Sequence, residues 1–162
     1  MNKLFVPSLI FLLSLTTLSG AQDRYFGFHF DFHATPNRNY IEHPIGSTLK
    51  EDEIREICRK ANPDFLQIDC KGHPGWSSYP TGCGNRIPQI EGDPLATWRK
   101  VTKEEGVGLF MHYSGVFDYN YVSNNPQEAV LLADGTRSLQ AVRTNGGYAD
   151  ELMIPQLKEL AG

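Results

Sequence analysis

The chain has 162 residues and a formal net charge of -4; 40% of its residues are hydrophobic, 11% aromatic and 21% charged. This is a globular profile, which excludes a collagen-like repeat, a coiled coil or a disordered tail. Nineteen acidic against fifteen basic residues leave no surplus to neutralise phosphates, so no nucleic-acid partner is expected.

Asn2-Lys3, the apolar run Leu4 to Leu18 and the small residues Ser19-Gly20-Ala21 have the layout of a secretory signal peptide. The run is shorter than the ~20 residues that span a bilayer. Residues 1–21 are therefore expected to be a signal peptide. The mature part, 22–162, is expected to be exported to the periplasm or the extracellular space, with no membrane contact after cleavage.

From Tyr25 to His33 the residues alternate: Phe26, Phe28, Phe30 and Phe32 fall on one strand face, and Gly27, His29, Asp31 and His33 on the other. Thr48-Leu49-Lys50-Glu51 reads as a capping box opening a helix from about Leu49 to Ala61, stopped by Asn62-Pro63. A second strand follows at Phe65 to Cys70, with Leu66, Ile68 and Cys70 on one face and Gln67, Asp69 and Lys71 toward the other. The loop Gly72 to Gly92 is too long for a plain connector and is a candidate binding loop. Asp93-Pro94 supplies an N-cap and first-turn proline for a helix lined by Leu95, Trp98 and Val101 and ended by Gly106. Val107 to Tyr113 is a third strand. An aromatic loop, Phe117 to Tyr121, precedes a β-hairpin over Glu128 to Val142 turning at Asp134-Gly135. A helix from about Asp150 to Leu160 comes last.

Repeating βα units imply a parallel sheet. Buried strands of an open doubly wound sheet should be apolar on both faces. Strands one and two instead alternate with His29, Asp31, His33, Gln67 and Asp69, which a barrel interior accepts near its C-terminal mouth. The expected fold class is α/β: the first three βα units of a (β/α)8 TIM-type barrel, with a β-hairpin insertion after strand three. At about 250 residues for a full barrel, a chain of this length is expected to be a fragment. No G-x-G-x-x-G turn or P-loop is present, so nucleotide binding is unsupported. Nor is there a C-x-x-C metal motif among Cys58, Cys70 and Cys83, and a Cys70–Cys83 loop disulfide stays open.

Barrels place their active sites at the C-terminal strand ends. The candidates there are Asp31 and His33 after strand one, Asp69, Lys71 and His73 after strand two, and His112 and Asp118 around the end of strand three. Each has an ordinary alternative, since strand-end Asp and His often cap helices or satisfy loops. Trp76, Tyr79, Phe117, Tyr119 and Tyr121 lie in the loops, where aromatic faces beside polar groups suit sugar rings; loop anchoring is the competing explanation.

At these positions the sequence resembles a known family. Phe26-Gly27-Phe28-His29-Phe30-Asp31, Lys71-Gly72-His73-Pro74-Gly75-Trp76 and Gly108-Leu109-Phe110-Met111-His112-Tyr113-Ser114 are similar to the first three strand ends of α-L-fucosidase-type glycoside hydrolases. The likeness covers about Tyr25 to Asp118. It implies sugar hydroxyl contacts from Lys71 and His73 with Trp76 as a wall, and brings Tyr113 into the candidate site. The chain departs from the family pattern at Asp31, where the family has His, and at Gly72 and Pro74, which replace a His and an Asp. The resemblance also implies a nucleophilic Asp after a fourth strand, expected beyond Gly162; no cofactor or metal is expected. A retaining glycosidase needs that nucleophile and an acid/base carboxyl about 5–5.5 Å apart.

Two other readings compete. A metal-dependent hydrolase could use His29, Asp31 and His33, although His29 and His33 lie roughly 13 Å apart on an extended strand. A non-catalytic carbohydrate-binding protein would use the same sugar-facing residues without cleaving the ligand.

Overall fold

The structure is a computed structural model that describes residues 25–31, 33–36 and 42–162. The expected signal peptide and Phe32 lie outside the described residues.

Three parallel strands form the central sheet: β1 (Gly27–Phe30), β2 (Phe65–Lys71) and β3 (Gly108–Tyr113), in the order β1-β2-β3. Gly27 pairs with Phe65 and Phe65 with Gly108, so the strands start level. Helix α1 (Glu51–Ala61) connects β1 to β2, and α2 (Pro94–Glu104) connects β2 to β3. The expected parallel βα order is thus present. Alternation sorts each strand into two faces. Leu66, Ile68 and Cys70 of β2 are buried together with Ile54 and Cys58 of α1 and Leu95, Trp98 and Val101 of α2, with Phe30, Leu109, Met111 and Tyr113 packed against them. Phe65, Gln67, Asp69, Phe110 and His112 occupy the opposite face by the same period of two.

Charge and capping explain the helices. Glu51, Asp52 and Glu53 in the first turn of α1, and Arg59 and Lys60 in its last, match the helix dipole. Its end is set by Asn62, in the left-handed region at φ 46°, whose N–H donates to the Cys58 carbonyl. The capping box is corrected: Lys50 is the N-cap and no side chain bonds the helix start, because Thr48 belongs to a preceding turn. In α2 the Asp93 carboxylate accepts from the Ala96 N–H at 2.9 Å, as expected. Arg55 and Arg59 reach Glu104 and Glu105 at 2.6 and 2.8 Å, tying α1 to α2 outside the core.

The segment expected as an aromatic loop is partly helical. Asp118 caps α3 (Tyr119–Asn124) by accepting from the Tyr121 N–H at 2.8 Å. The hairpin is present as β4 (Ala129–Leu131) and β5 (Arg137–Val142). A π-helical turn at Ala149–Met153 leads into α4 (Ile154–Ala161). Val122, Ala129, Val142, Tyr148 and Leu152 form a second, smaller core under the hairpin. All three cysteines are free: the Cys70 thiol donates to the His112 carbonyl and the exposed Cys83 lies beside Glu159.

Candidate functional site

The polar face of the sheet becomes a site because the β2–β3 register sets Asp69 directly beside His112, and His29 of β1, the register partner of Gln67, reaches the same carboxylate from two residues below. Asp69 is 2% exposed, and its Oδ1 lies 2.6 Å from His112 Nδ1 and 3.2 Å from His29 Nε2. Its Oδ2 lies 3.8 Å from His33 Nε2, which is itself 3.4 Å from Asp31 Oδ1. Three imidazoles thus surround one buried carboxylate. The Ser78 hydroxyl donates to the Asp69 carbonyl at 2.6 Å, fixing the strand beneath it.

His73 completes the rim. Its ring packs against His33 at 4.7 Å and against the edge of Phe117 at 5.0 Å. Burial, then the neighbouring His33 and His112, hold its imidazole below the ordinary value, which favours the neutral ring. Gly72 is required here, since a Cβ at that position would come within 2.8 Å of the His33 ring. His33, Thr35, His73, Pro74, Tyr119 and Gln140 line an open cleft of about 450 Å³, within the size range of small-molecule sites.

Lys71 and Asp118, expected at the site, lie behind this cleft and do not line it. Both side chains are fully buried, with Lys71 Nζ 2.9 Å from Asp118 Oδ2. The ammonium donates to the Ser114 carbonyl at 3.0 Å and the Tyr148 hydroxyl at 3.1 Å, and lies 4.9 Å from the Tyr113 ring centre. The ammonium and the Asp118 carboxylate thus form a close buried charge pair within the same network. Burial pushes the Lys71 amine down, and the Asp118 charge opposes it. Gly75 belongs to the same arrangement: at φ 86° it takes a left-handed turn, and a Cβ would meet Asp118 Oδ1 at 2.0 Å. The lysine and glycine of the Lys71-to-Trp76 element therefore build the wall behind the site, and His73 is the member that reaches its rim.

Tyr113 is likewise on the helix side of the sheet, donating to Gln156 Oε1 at 2.9 Å. Asp31 is exposed, while His33, His112 and Trp76 are half-buried, so they remain reachable. Of the loop aromatics, Tyr119 and Phe117 border the cleft, Tyr79 belongs to the core and Tyr121 packs on Tyr148. Thr35 and Gln140 are cleft residues that sequence reasoning missed. Gln140 arrives because β5 folds back on the segment after β3: its carbonyl accepts from the Asp118 N–H at 2.8 Å, and Phe117 bridges to Ala141. No local signal in the hairpin sequence announces that contact.

Among the described residues two groups could hold a metal ion, His29–Asp69–His112 and Asp31–His33–Asp69, the donor atoms of each lying within 4.8 Å of one another. The single-strand set His29–Asp31–His33 is thereby corrected: His29 and His33 fall in different groups, and Asp69 from the neighbouring strand is common to both.

No protein-family model matches the chain, and no curated protein matches it. Among solved structures it is similar to alpha-L-fucosidase isoenzyme 2 from Paenibacillus thiaminolyticus, with a TM-score of 0.72 and 23% identity over 85% of this chain. It is also similar to the alpha-L-fucosidase AlfC from Lactobacillus casei, solved with alpha-L-fucose product, with a TM-score of 0.55 and 15% identity over 84% of this chain. The chain spans 21% and 54% of the lengths of those proteins. At such identities the likeness is one of fold, and it agrees with the resemblance of the strand-end motifs.

Proposed function

We propose that this chain forms the first three βα units of a (β/α)8 barrel in an exported glycoside hydrolase related to α-L-fucosidases, and that it carries part of the sugar-binding site. The observation that carries the reading is the polarity of the inner sheet face. Tyr25 and Phe65 pack at the strand starts with Phe110 edge-on to Phe65, ring centres 5.0 and 5.1 Å apart, while Asp69 and His112 pair near the strand ends and His29, level with Gln67, reaches up to Asp69. A TIM barrel has this layering, a packed interior below and a site at the C-terminal face. The outer edges of β1 and β3 have no strand partner among the described residues, and Phe28 and Phe110 are exposed beside them, which supports pairing with further strands.

In this reading His33, His73 and Asp31 contact sugar hydroxyls at the rim, Trp76 and Tyr119 offer apolar faces, and Asp69 and His112 form the floor. The neutral His73 ring can donate from one nitrogen and accept at the other, which suits a hydroxyl that does both. Lys71, Asp118 and Tyr113 act behind these residues by holding the β2 and β3 loops. The catalytic carboxylates are assigned to later strands.

The test is hydrolysis of aryl glycosides, aryl α-L-fucoside among them, by the natural protein that contains this chain. The expected result is turnover with at least one of them, and a His73→Ala variant whose kcat/KM falls by at least about tenfold, the scale of a lost hydrogen bond to substrate. Glycan binding without hydrolysis of any of them would favour the non-catalytic carbohydrate-binding reading, and absence of both would overturn the proposal.

A further inference from the structure

We propose that His29, Asp69 and His112 form a binding site for a divalent first-row transition metal ion, with Zn²⁺ as the representative ion. This inference goes beyond the glycosidase reading and does not depend on it. One hydrogen-bonded imidazole would be enough to hold a buried carboxylate, yet here two imidazole nitrogens approach the same oxygen of Asp69, at 2.6 and 3.2 Å, and a third lies 3.8 Å from the other oxygen. Tetrahedral zinc with bonds of about 2.05 Å sets its ligand atoms roughly 3.3 Å apart, so a shift of well under 1 Å at His112 opens the Asp69–His112 pair to an ion. Two imidazoles and one carboxylate are a usual donor set for such ions.

The placement also suits an open metal site. Each ligand stands on a different strand of one sheet, and Asp69 and His112 are direct register partners, so the backbone holds the donors in place. Asp69 is buried, whereas the side chains of His29 and His112 are 39% and 31% exposed. The buried carboxylate forms the base and the imidazoles the sides, and the remaining coordination position faces the solvent. Water or a ligand oxygen can fill it. Asp69 Oδ2, turned toward His33, supplies the outer-shell contact that commonly orients a ligating carboxylate.

Calorimetric titration of Zn²⁺ into the full chain tests the site, with Co²⁺ absorption as a second readout of coordination. The background is Cys83→Ser, because the exposed thiol of Cys83 beside Glu159 is a competing surface ligand. One equivalent should bind. Outer-shell changes alone cost 10–100-fold, so Asp69→Asn and His112→Ala should each weaken binding by about 100-fold or more. His29→Gln, at the more exposed edge strand, is the variant least able to disturb folding and should do the same. His43→Ala, an exposed histidine outside the cluster, should leave affinity unchanged. Circular dichroism confirms that each variant is folded. Absence of stoichiometric binding, binding that survives Asp69→Asn and His29→Gln, or binding lost with His43→Ala would each overturn the proposal. Glycosidase activity is read separately, so metal binding without hydrolysis, or hydrolysis without metal binding, identifies which reading fails.

Discussion

Lys71 has the residue type of a sugar ligand and the environment of a structural ion. Removing one partner of a buried ion pair strands the other charge, at a cost of roughly 3–5 kcal/mol. Lys71→Met should therefore lower stability by about that amount in denaturant unfolding. Adding Asp118→Asn, which keeps an oxygen to cap α3, should restore part of the loss. Additive losses would show that the two residues are not coupled. His73 behaves differently because it is partly exposed and forms no ion pair among the described residues. In the metal-free protein its NMR titration midpoint should lie below the ordinary 6.5, and His33→Ala should raise it by removing one positive neighbour. A midpoint at or above 6.5 would count against the crowded imidazole rim. The sequence made both residues visible through the Lys71-to-Trp76 element, but whether each faced inward or outward depended on Asp118 and Tyr148, 47 and 77 positions further along the chain.

At the scale of elements, the strands and both connecting helices were legible because their signals are local: alternation in β1 and β2, the Asp93-Pro94 start of α2, and Asn62-Pro63 after α1. The loop Gly72 to Gly92 was legible only as long and rich in glycine and proline. What organises it is α4, whose Glu159 accepts from the Tyr79 hydroxyl at 3.0 Å, the Thr81 hydroxyl at 2.5 Å and the Gly82 N–H at 2.6 Å. Burial would raise the Glu159 carboxyl, but hydrogen bonds from Thr81, Gly82 and Tyr79 outweigh it and hold the group below its ordinary 4.5. A depressed carboxylate contributes stability above the unfolded value and loses it as pH falls through the folded one. Hydrogen exchange at the Gly82 amide, corrected for its intrinsic pH dependence, should therefore accelerate as pH drops below about 4.5, and Glu159→Gln should show the same loss of protection at neutral pH. Protection unchanged in both experiments would mean that the loop is ordered by other contacts. The helical start of α3 escaped sequence reading for a related reason: Tyr119-Asn120-Tyr121 has weak helix propensity, and the Asp118 cap initiates a short helix despite it.

At the scale of the molecule, composition gave the class and chain order gave the parallel sheet, and the open edges of that sheet are what the proposed barrel would pair. Tyr25, Phe28 and Phe110 are exposed at 78%, 36% and 50%, next to strand edges with no partner among the described residues. Open edges with apolar surface favour intermolecular pairing. Light scattering on the 162-residue chain should therefore show self-association that Phe110→Lys reduces, and that is absent when further βα units are present in the same polypeptide. A monodisperse monomer would argue against the barrel reading. The hydrogen bonds from Lys71 to Tyr148, from Gln156 to Ser77 and from Tyr79 to Glu159 join residues 77 to 80 positions apart. During synthesis β2 and its loop leave the ribosome long before those partners, so the wall of the site stays unfinished while the sheet behind it forms. Residues 148–160 then act as the closing step in assembling a site to which they contribute no cleft residue, and changes there should show first in the yield of folded protein.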